Sequence, residues 1–381
     1  MRPRALLAGV CLLACQLAAQ AGTLLDFSDD ERARIASHGP WPPEPVRDAS
    51  NRVDGQAAAI TLGRQLFEDR RLSGQGQLAC ASCHRPQRGF QDGRRAAHHG
   101  RNTPGLLNVA QQRWFRWDGA ADSLWAASLL PLMAADEIAA TPDHVLRLFA
   151  RDAALARRYR QLFGPPQADE QLLVNVAKAL AAYQATLVSP RSAFDDFRDA
   201  LLRGDQAAAA RYPLAAQRGL KLFIGPARCS LCHAGPTFSN GEFADIGRPF
   251  FTRGGADPGR WGGLQQLLAS PYNRLGAYSD APAQGADAVA TRHVLMAPRH
   301  FGEFKVPGLR SLPDTAPYFH DGSVATLAEV VEHYNHLDDS RLHADGERLL
   351  QALNLGPDQA ADLVAFLESL GRPLAPGRSS R

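Results

Sequence analysis

The sequence predicts a mainly α-helical protein built from two similar halves, on three observations. A five-residue pattern occurs twice, as Cys80-Ala81-Ser82-Cys83-His84 and Cys229-Ser230-Leu231-Cys232-His233. A second pattern stands upstream of each copy, as Gly63-Arg64-Gln65-Leu66-Phe67 and Gly219-Leu220-Lys221-Leu222-Phe223, and such self-similarity marks repeated units. Apolar residues recur at helical spacing in several segments, with no run of alternating strands.

Residues 1–21 read as an export signal. Arg2 and Arg4 precede a short apolar stretch over 5–14, and Ala19-Gln20-Ala21 is a small-x-small cleavage site. The stretch is too short to span a bilayer. Leu12-Leu13-Ala14-Cys15 also resembles a lipoprotein box, so a membrane anchor at Cys15 stays open beside soluble release. Either route places the mature protein outside the cytoplasm. Residues 22–53 hold several prolines and read as an irregular N-terminal arm. Helix is expected over 57–67. It is expected again over 171–188, where Leu172, Leu173, Val176, Leu180, Tyr183 and Leu187 form one face. Ser189-Pro190 and Gly204-Asp205 then break the chain, dividing it into domains 54–203 and 204–381. Residues 214–223 repeat the first helix. Residues 261–300, with Ser270-Pro271, Ala281-Pro282 and Gly285, read as an extended loop with short helices. Loops of that length are often functional, and this one is expected to shape a partner surface or cover the second motif. A final helix starts at Pro357-Asp358 and presents Ala360, Leu363, Val364, Leu367 and Leu370.

Each Cys-x-x-Cys-His pattern reads as a c-type haem attachment site. The two thiols bond the porphyrin vinyl groups and the histidine ligates iron. Cys-x-x-Cys also occurs in redox disulfides and zinc sites. Two copies, both ending in histidine in an exported chain, favour haem. Of the six cysteines, Cys11 and Cys15 lie in the leader and the other four in the motifs. The expected fold is therefore mainly α, with two cytochrome c-like domains, each holding one covalent c-type haem. The net charge of +3 is small for a chain of 381 residues, which points to no nucleic-acid partner.

Further motifs surround these sites. In the first half they are Asp69, Arg71-Leu72-Ser73, Gly89-Phe90, Asp92-Gly93, Arg101-Asn102-Thr103-Pro104 and Trp117-Asp118-Gly119. In the second half they are Gly235-Pro236-Thr237-Phe238, Asp257-Pro258-Gly259-Arg260, Phe304-Lys305-Val306-Pro307-Gly308-Leu309-Arg310 and Thr315-Ala316-Pro317-Tyr318-Phe319-His320-Asp321-Gly322. In this order, over residues 57–370, the chain resembles the bacterial dihaem cytochrome c peroxidase and MauG superfamily.

The resemblance implies a periplasmic enzyme in which hydrogen peroxide reacts at the haem of His84 and the haem of His233 exchanges electrons. Reducing peroxide to water takes two electrons, which explains the use of two haems. The sixth ligand of the second haem is methionine in the peroxidases proper and tyrosine in MauG-type members. The matching position, on a helix over 326–334, is Tyr334, with His333 and His336 as competing neighbours. Met133 and Met296 lie elsewhere. A phenolate favours oxidised iron and gives a low-potential haem. Glu137 matches the distal carboxylate that moves the peroxide proton as base and then acid. Ala127 stands where relatives often carry a glutamine. Trp117 matches a tryptophan between the haems, and Asn102, Thr315 and Pro317 match an oxygen-donor calcium site. His98 or His99 either caps the first haem, as in reductively activated members, or faces water. The expected donor is a small cytochrome c, a copper protein or a side chain of a partner protein. Two alternatives stand beside this MauG-like reading: a reductively activated cytochrome c peroxidase, and a dihaem electron-transfer cytochrome without peroxidase activity.

Overall fold

The computed structural model describes residues 22–95, 100–248, 251–252, 255–337, 346 and 349–371. Helices dominate, and the described strands are two-residue pairs. The leader, with Cys11 and Cys15, and the His98–His99 pair lie outside the described residues.

The N-terminal arm is not irregular throughout. Helix α1 (Asp29–Ser37) forms there, opened by a reciprocal capping box between Ser28 and Glu31. The arm then crosses to the far half of the chain. Ile35 and Phe27 enter the second core, and Lys221 Nζ meets Glu31 at 2.8 Å. The prolines of the arm hid a helix whose start signal, Ser-x-x-Glu, was present.

Helix α2 (Ala57–Glu68) buries Leu62, Leu66 and Phe67. Helix α3 (Leu124–Met133) and helix α4 (Glu170–Gln184) complete the first core, α4 packing closely on both others. α4 ends at Gln184, short of the expected 188. Pro190 disfavours helix in the residue before it, and Asn108 takes the freed backbone. The Asn108 N–H donates to Leu187 O at 2.7 Å, and the Ser189 N–H donates to Asn108 Oδ1 at 2.8 Å.

Helix α5 (Ala193–Leu202) falls on the first side of the boundary read at 203/204. It nevertheless buries Phe194, Phe197, Ala200 and Leu201 in the second core. Helix α6 (Leu214–Ile224) packs there on the last helix as α2 packs on α4. The repeated glycine explains the match. A Cβ at Gly63 would lie 1.9 Å from the Ala179 carbonyl oxygen, and one at Gly219 would lie 1.9 Å from that of Asp362. Each glycine is where two helices touch backbone to backbone.

The segment over 261–300 opens with helix α7 (Arg260–Ala269) and then anchors on the first half. The Arg274 N–H donates to Asp122 Oδ2 at 2.8 Å, and Asp280 Oδ2 lies 2.6 Å from Lys178 Nζ on α4. Helix α8 (Leu327–Asn335) begins at a Thr326–Glu329 capping box. Helix α9 (Pro357–Glu368) buries Leu363 and Leu367 as expected, together with Phe366. Strand Phe243–Ala244 pairs antiparallel with Phe304–Lys305, and the Lys305 N–H donates to Trp117 O at 2.8 Å across the two halves. Among the described residues no helix is long and apolar enough to cross a membrane.

Candidate active site

The first Cys-x-x-Cys-His motif is one helical turn, Cys80–Cys83, with the His84 N–H donating to Cys80 O at 2.9 Å. This turn puts both sulfurs and the imidazole on one wall. His84 Nδ1 donates to Phe90 O at 2.7 Å. That bond puts the ring proton on Nδ1, the tautomer in which Nε2 is the metal-binding nitrogen. Phe90 adopts φ 61°, a left-handed turn that aims its carbonyl back at the ring.

The second motif repeats the device. The His233 N–H donates to Cys229 O at 2.9 Å, His233 Nδ1 pairs with Phe238 O at 3.0 Å, and Phe238 has φ 57°. None of the four motif cysteines forms a disulfide. Burial pushes the Cys80 and Cys229 thiols up to about 12. Redox-active cysteines show the opposite shift. Among the described residues no group of three or more His, Cys, Asp or Glu side chains stands ready for a metal ion.

A cavity of about 480 Å³ opens against the first motif. Cys80, Cys83 and His84 line it, with Trp117, Ala127 and Glu137. Glu137 arrives by the turn after α3, where the Glu137 N–H donates to Ala134 O at 3.1 Å and the Ile138 N–H donates to Pro131 O at 3.2 Å. Beside Ala127, Gln184 Nε2 donates to Ser128 Oγ at 2.9 Å, so a polar pair from α4 and α3 reaches this wall. The Trp117 indole N–H donates to Asn102 O at 2.8 Å, fixing the ring at the seam of the halves.

Among the described residues, Asn102 Oδ1 is buried without a hydrogen-bond partner. Its Nδ2 donates to Pro317 O at 2.7 Å, and Thr315 O accepts from Gln91 Nε2. Asn102, Thr315 and Pro317 are thus gathered around one cluster of carbonyl oxygens.

On α8 the three candidate ligands separate. His333 Nε2 pairs with Ile246 O at 2.8 Å. His336 is exposed and pairs with Glu332 at 3.0 Å. Tyr334 is within electrostatic reach of Cys229 and Cys232, packs its ring against Phe319, and no described residue hydrogen-bonds its hydroxyl. Burial, then the neighbouring sulfurs, hold its phenol well above the usual range.

Residues 57–206 match the family model described as di-haem cytochrome c peroxidase. The chain is 35% identical to the methylamine utilization protein MauG of Methylorubrum extorquens over 82% of this chain and 77% of that protein. It is also 35% identical to the cytochrome-c peroxidase IdrP1 of Denitromonas iodatirespirans, over 89% and 87%. The chain belongs to the di-haem cytochrome c peroxidase family. A crystal structure of a MauG-like protein associated with microbial copper homeostasis superposes with TM-score 0.62 at 28% identity, covering 88% of this chain and 96% of that one. The diheme peroxidase BthA of Burkholderia thailandensis shares the fold at TM-score 0.62 and 22% identity. As a family member this protein is an oxidoreductase of the peroxidase type, and its family implies two haems.

Sequence reading assigned no role to several residues of this peroxidase that surround the sites. Arg101 Nε and Nη2 reach Asp257 at 2.8 and 2.7 Å, and Nη1 bonds Asp118. This knot joins the halves at the cavity. All three residues stand in motifs that carried the family resemblance. His38, from the arm, stacks on Phe238 with ring centroids 4.5 Å apart. Nothing local marked it, because its partner lies about 200 residues away.

Proposed function

We propose that this peroxidase is a periplasmic, MauG-like enzyme with two covalent c-type haems, one in each of two cytochrome c-like domains, the second of which includes α5 as well as the chain after residue 203. Cys80 and Cys83 bond the first haem and Cys229 and Cys232 the second. His84 and His233 ligate through Nε2, each held by a backbone carbonyl at Nδ1. The arrangement fits the group: thiols outside disulfides, a fixed imidazole and, at the first motif, a cavity. Bound haem supplies the redox chemistry that splits the O–O bond.

Around it the chain's own residues act. Glu137 takes a proton from the near oxygen of hydrogen peroxide and returns it to the far oxygen. Trp117 holds an indole between the two sites. Asn102, with the carbonyls of Thr315 and Pro317, offers oxygen donors of the kind calcium takes, and the orphaned Asn102 Oδ1 supports that use. The observation that carries the MauG-like reading is on α8. His333 and His336 are engaged elsewhere, while the Tyr334 hydroxyl has no hydrogen-bond partner among the described residues and lies within electrostatic reach of Cys229 and Cys232. Electrons come from a small cytochrome c, a copper protein or a side chain of a partner protein.

Electron paramagnetic resonance of the as-isolated ferric protein tests this. The expected result is one high-spin signal and one low-spin His–Tyr signal, both lost on adding one equivalent of peroxide. Two low-spin signals that ignore peroxide until half-reduction would replace this reading with the capped, reductively activated one.

A further inference from the structure

Lys305 belongs to the second half of the chain, on strand Phe304–Lys305, yet it lines the cavity of the first motif. It is 8% exposed. Its ammonium donates to Gln112 Oε1 and to Trp114 O, both neutral acceptors. No described carboxylate forms a salt bridge with it. The other two lysines differ: Lys178 is paired with Asp280 and Lys221 with Glu31. Asp118, the acid whose field reaches Lys305, is already engaged by Arg101. Arg101 is itself saturated by Asp118 and Asp257. Arg116 also lines the cavity but is partly exposed.

A buried ammonium without an anion is costly, and such groups neutralise or recruit a partner. Burial here lowers Lys305 to about 7. The cavity it faces is lined by Cys80 and Cys83, the residues proposed above to bond the first porphyrin, and a haem brings two carboxylates.

We propose that Lys305 is the counter-ion of a haem carboxylate at the His84 site, so that the second half of the chain supplies charge to the haem of the first. The proposal rests on the haem reading above. It makes Lys305 a positioning residue and not part of the proton path. It also gives a reason why Lys305 hydrogen-bonds backbone of the first half through its own N–H. The strand is held where its side chain must enter the cavity.

Spectroelectrochemical titration of the holoprotein tests it, with Lys305→Met and Lys305→Arg beside the wild type. A positive charge near iron favours the reduced state. Lys305→Met is therefore expected to shift the midpoint potential of the high-spin haem downward, leave the low-spin haem in place, and be largely rescued by arginine. Unchanged potentials in Lys305→Met, an equal shift of both haems, or an arginine variant that behaves like methionine would overturn the proposal. Haem content by the pyridine haemochrome method separates the two layers of inference. A wild-type protein without two covalent haems overturns the haem reading as well, whereas unshifted potentials in a fully loaded Lys305→Met overturn the role of Lys305 alone.

Discussion

At the residue scale, the proposed function rests on side chains that the backbone aims. His84 and His233 are held by the carbonyls of Phe90 and Phe238, both in left-handed conformation. Glu137 is delivered by a turn, not by a helix face. Glu137→Gln is expected to slow peroxide consumption by about 10²- to 10⁴-fold, the usual range for a lost acid–base group. Haem content should stay whole, and stopped-flow spectroscopy checks both. Tyr334→Phe removes the hydroxyl proposed to ligate the second haem. Its expected mark is loss of the His–Tyr low-spin signal with the high-spin signal retained. The same variant with an unchanged low-spin spectrum would exclude Tyr334 as ligand. Most of these residues were legible in sequence because they stand inside motifs or next to them. The choice among Tyr334, His333 and His336 was not. All three lie within one helical turn, and only the partners of each ring distinguish them.

At the element scale, the repeated Gly-x-x-Leu-Phe pattern records helix contact. Gly63 and Gly219 let α2 meet α4 and α6 meet α9 at backbone distance. Alanine at either site would gain about 1 kcal/mol of helix propensity. It would also force a methyl group against a carbonyl, and overpacking of this kind costs about 1–3 kcal/mol or more. Gly63→Ala is therefore expected to be net destabilising, seen as a lower urea midpoint. A raised midpoint would show that the helices can separate freely. Sequence periodicity located α2, α6 and α9 by one apolar face each, and found α4 although that helix is buried on every side from Leu172 to Ala182. It overran α4 and missed α1. The α4 end depends on Asn108, remote in sequence, and α1 gains its burial from the opposite half.

At the scale of the whole molecule, the halves are interlocked. The arm reaches the second core, the 261–300 segment anchors on the first, and Arg101 ties Asp118 to Asp257 at the seam. Lys178 is 1% exposed and depends on Asp280 for its charge partner. Asp280→Ala leaves that ammonium with only the Tyr278 carbonyl, and losing a hydrogen bond to a charged group costs about 1.5–3 kcal/mol. Faster limited proteolysis within 261–300 is the expected sign, and an unchanged rate would mean that the other anchors suffice. Asp257 adds a pH dependence. Burial raises its carboxyl, but the Arg101 ion pair outweighs this and holds it below the usual 3.8. Its stabilisation is present above that value and is lost as pH falls through the lower folded value. Acid melting should accordingly show a component that disappears in Asp257→Asn.

The sequence by itself determined the helical class, the twofold repeat, the haem motifs and the family. These are local patterns, written in spacings of a few residues. The tertiary structure alone decided which residues of one half serve the other. Lys305, His38 and the Arg101–Asp257 pair act across 156 to 221 positions of chain. No spacing rule encodes such pairs. Their contacts exist only once two hydrophobic cores have formed and been laid against each other, because burial is what gives an unpaired charge or a stacked ring its energetic weight.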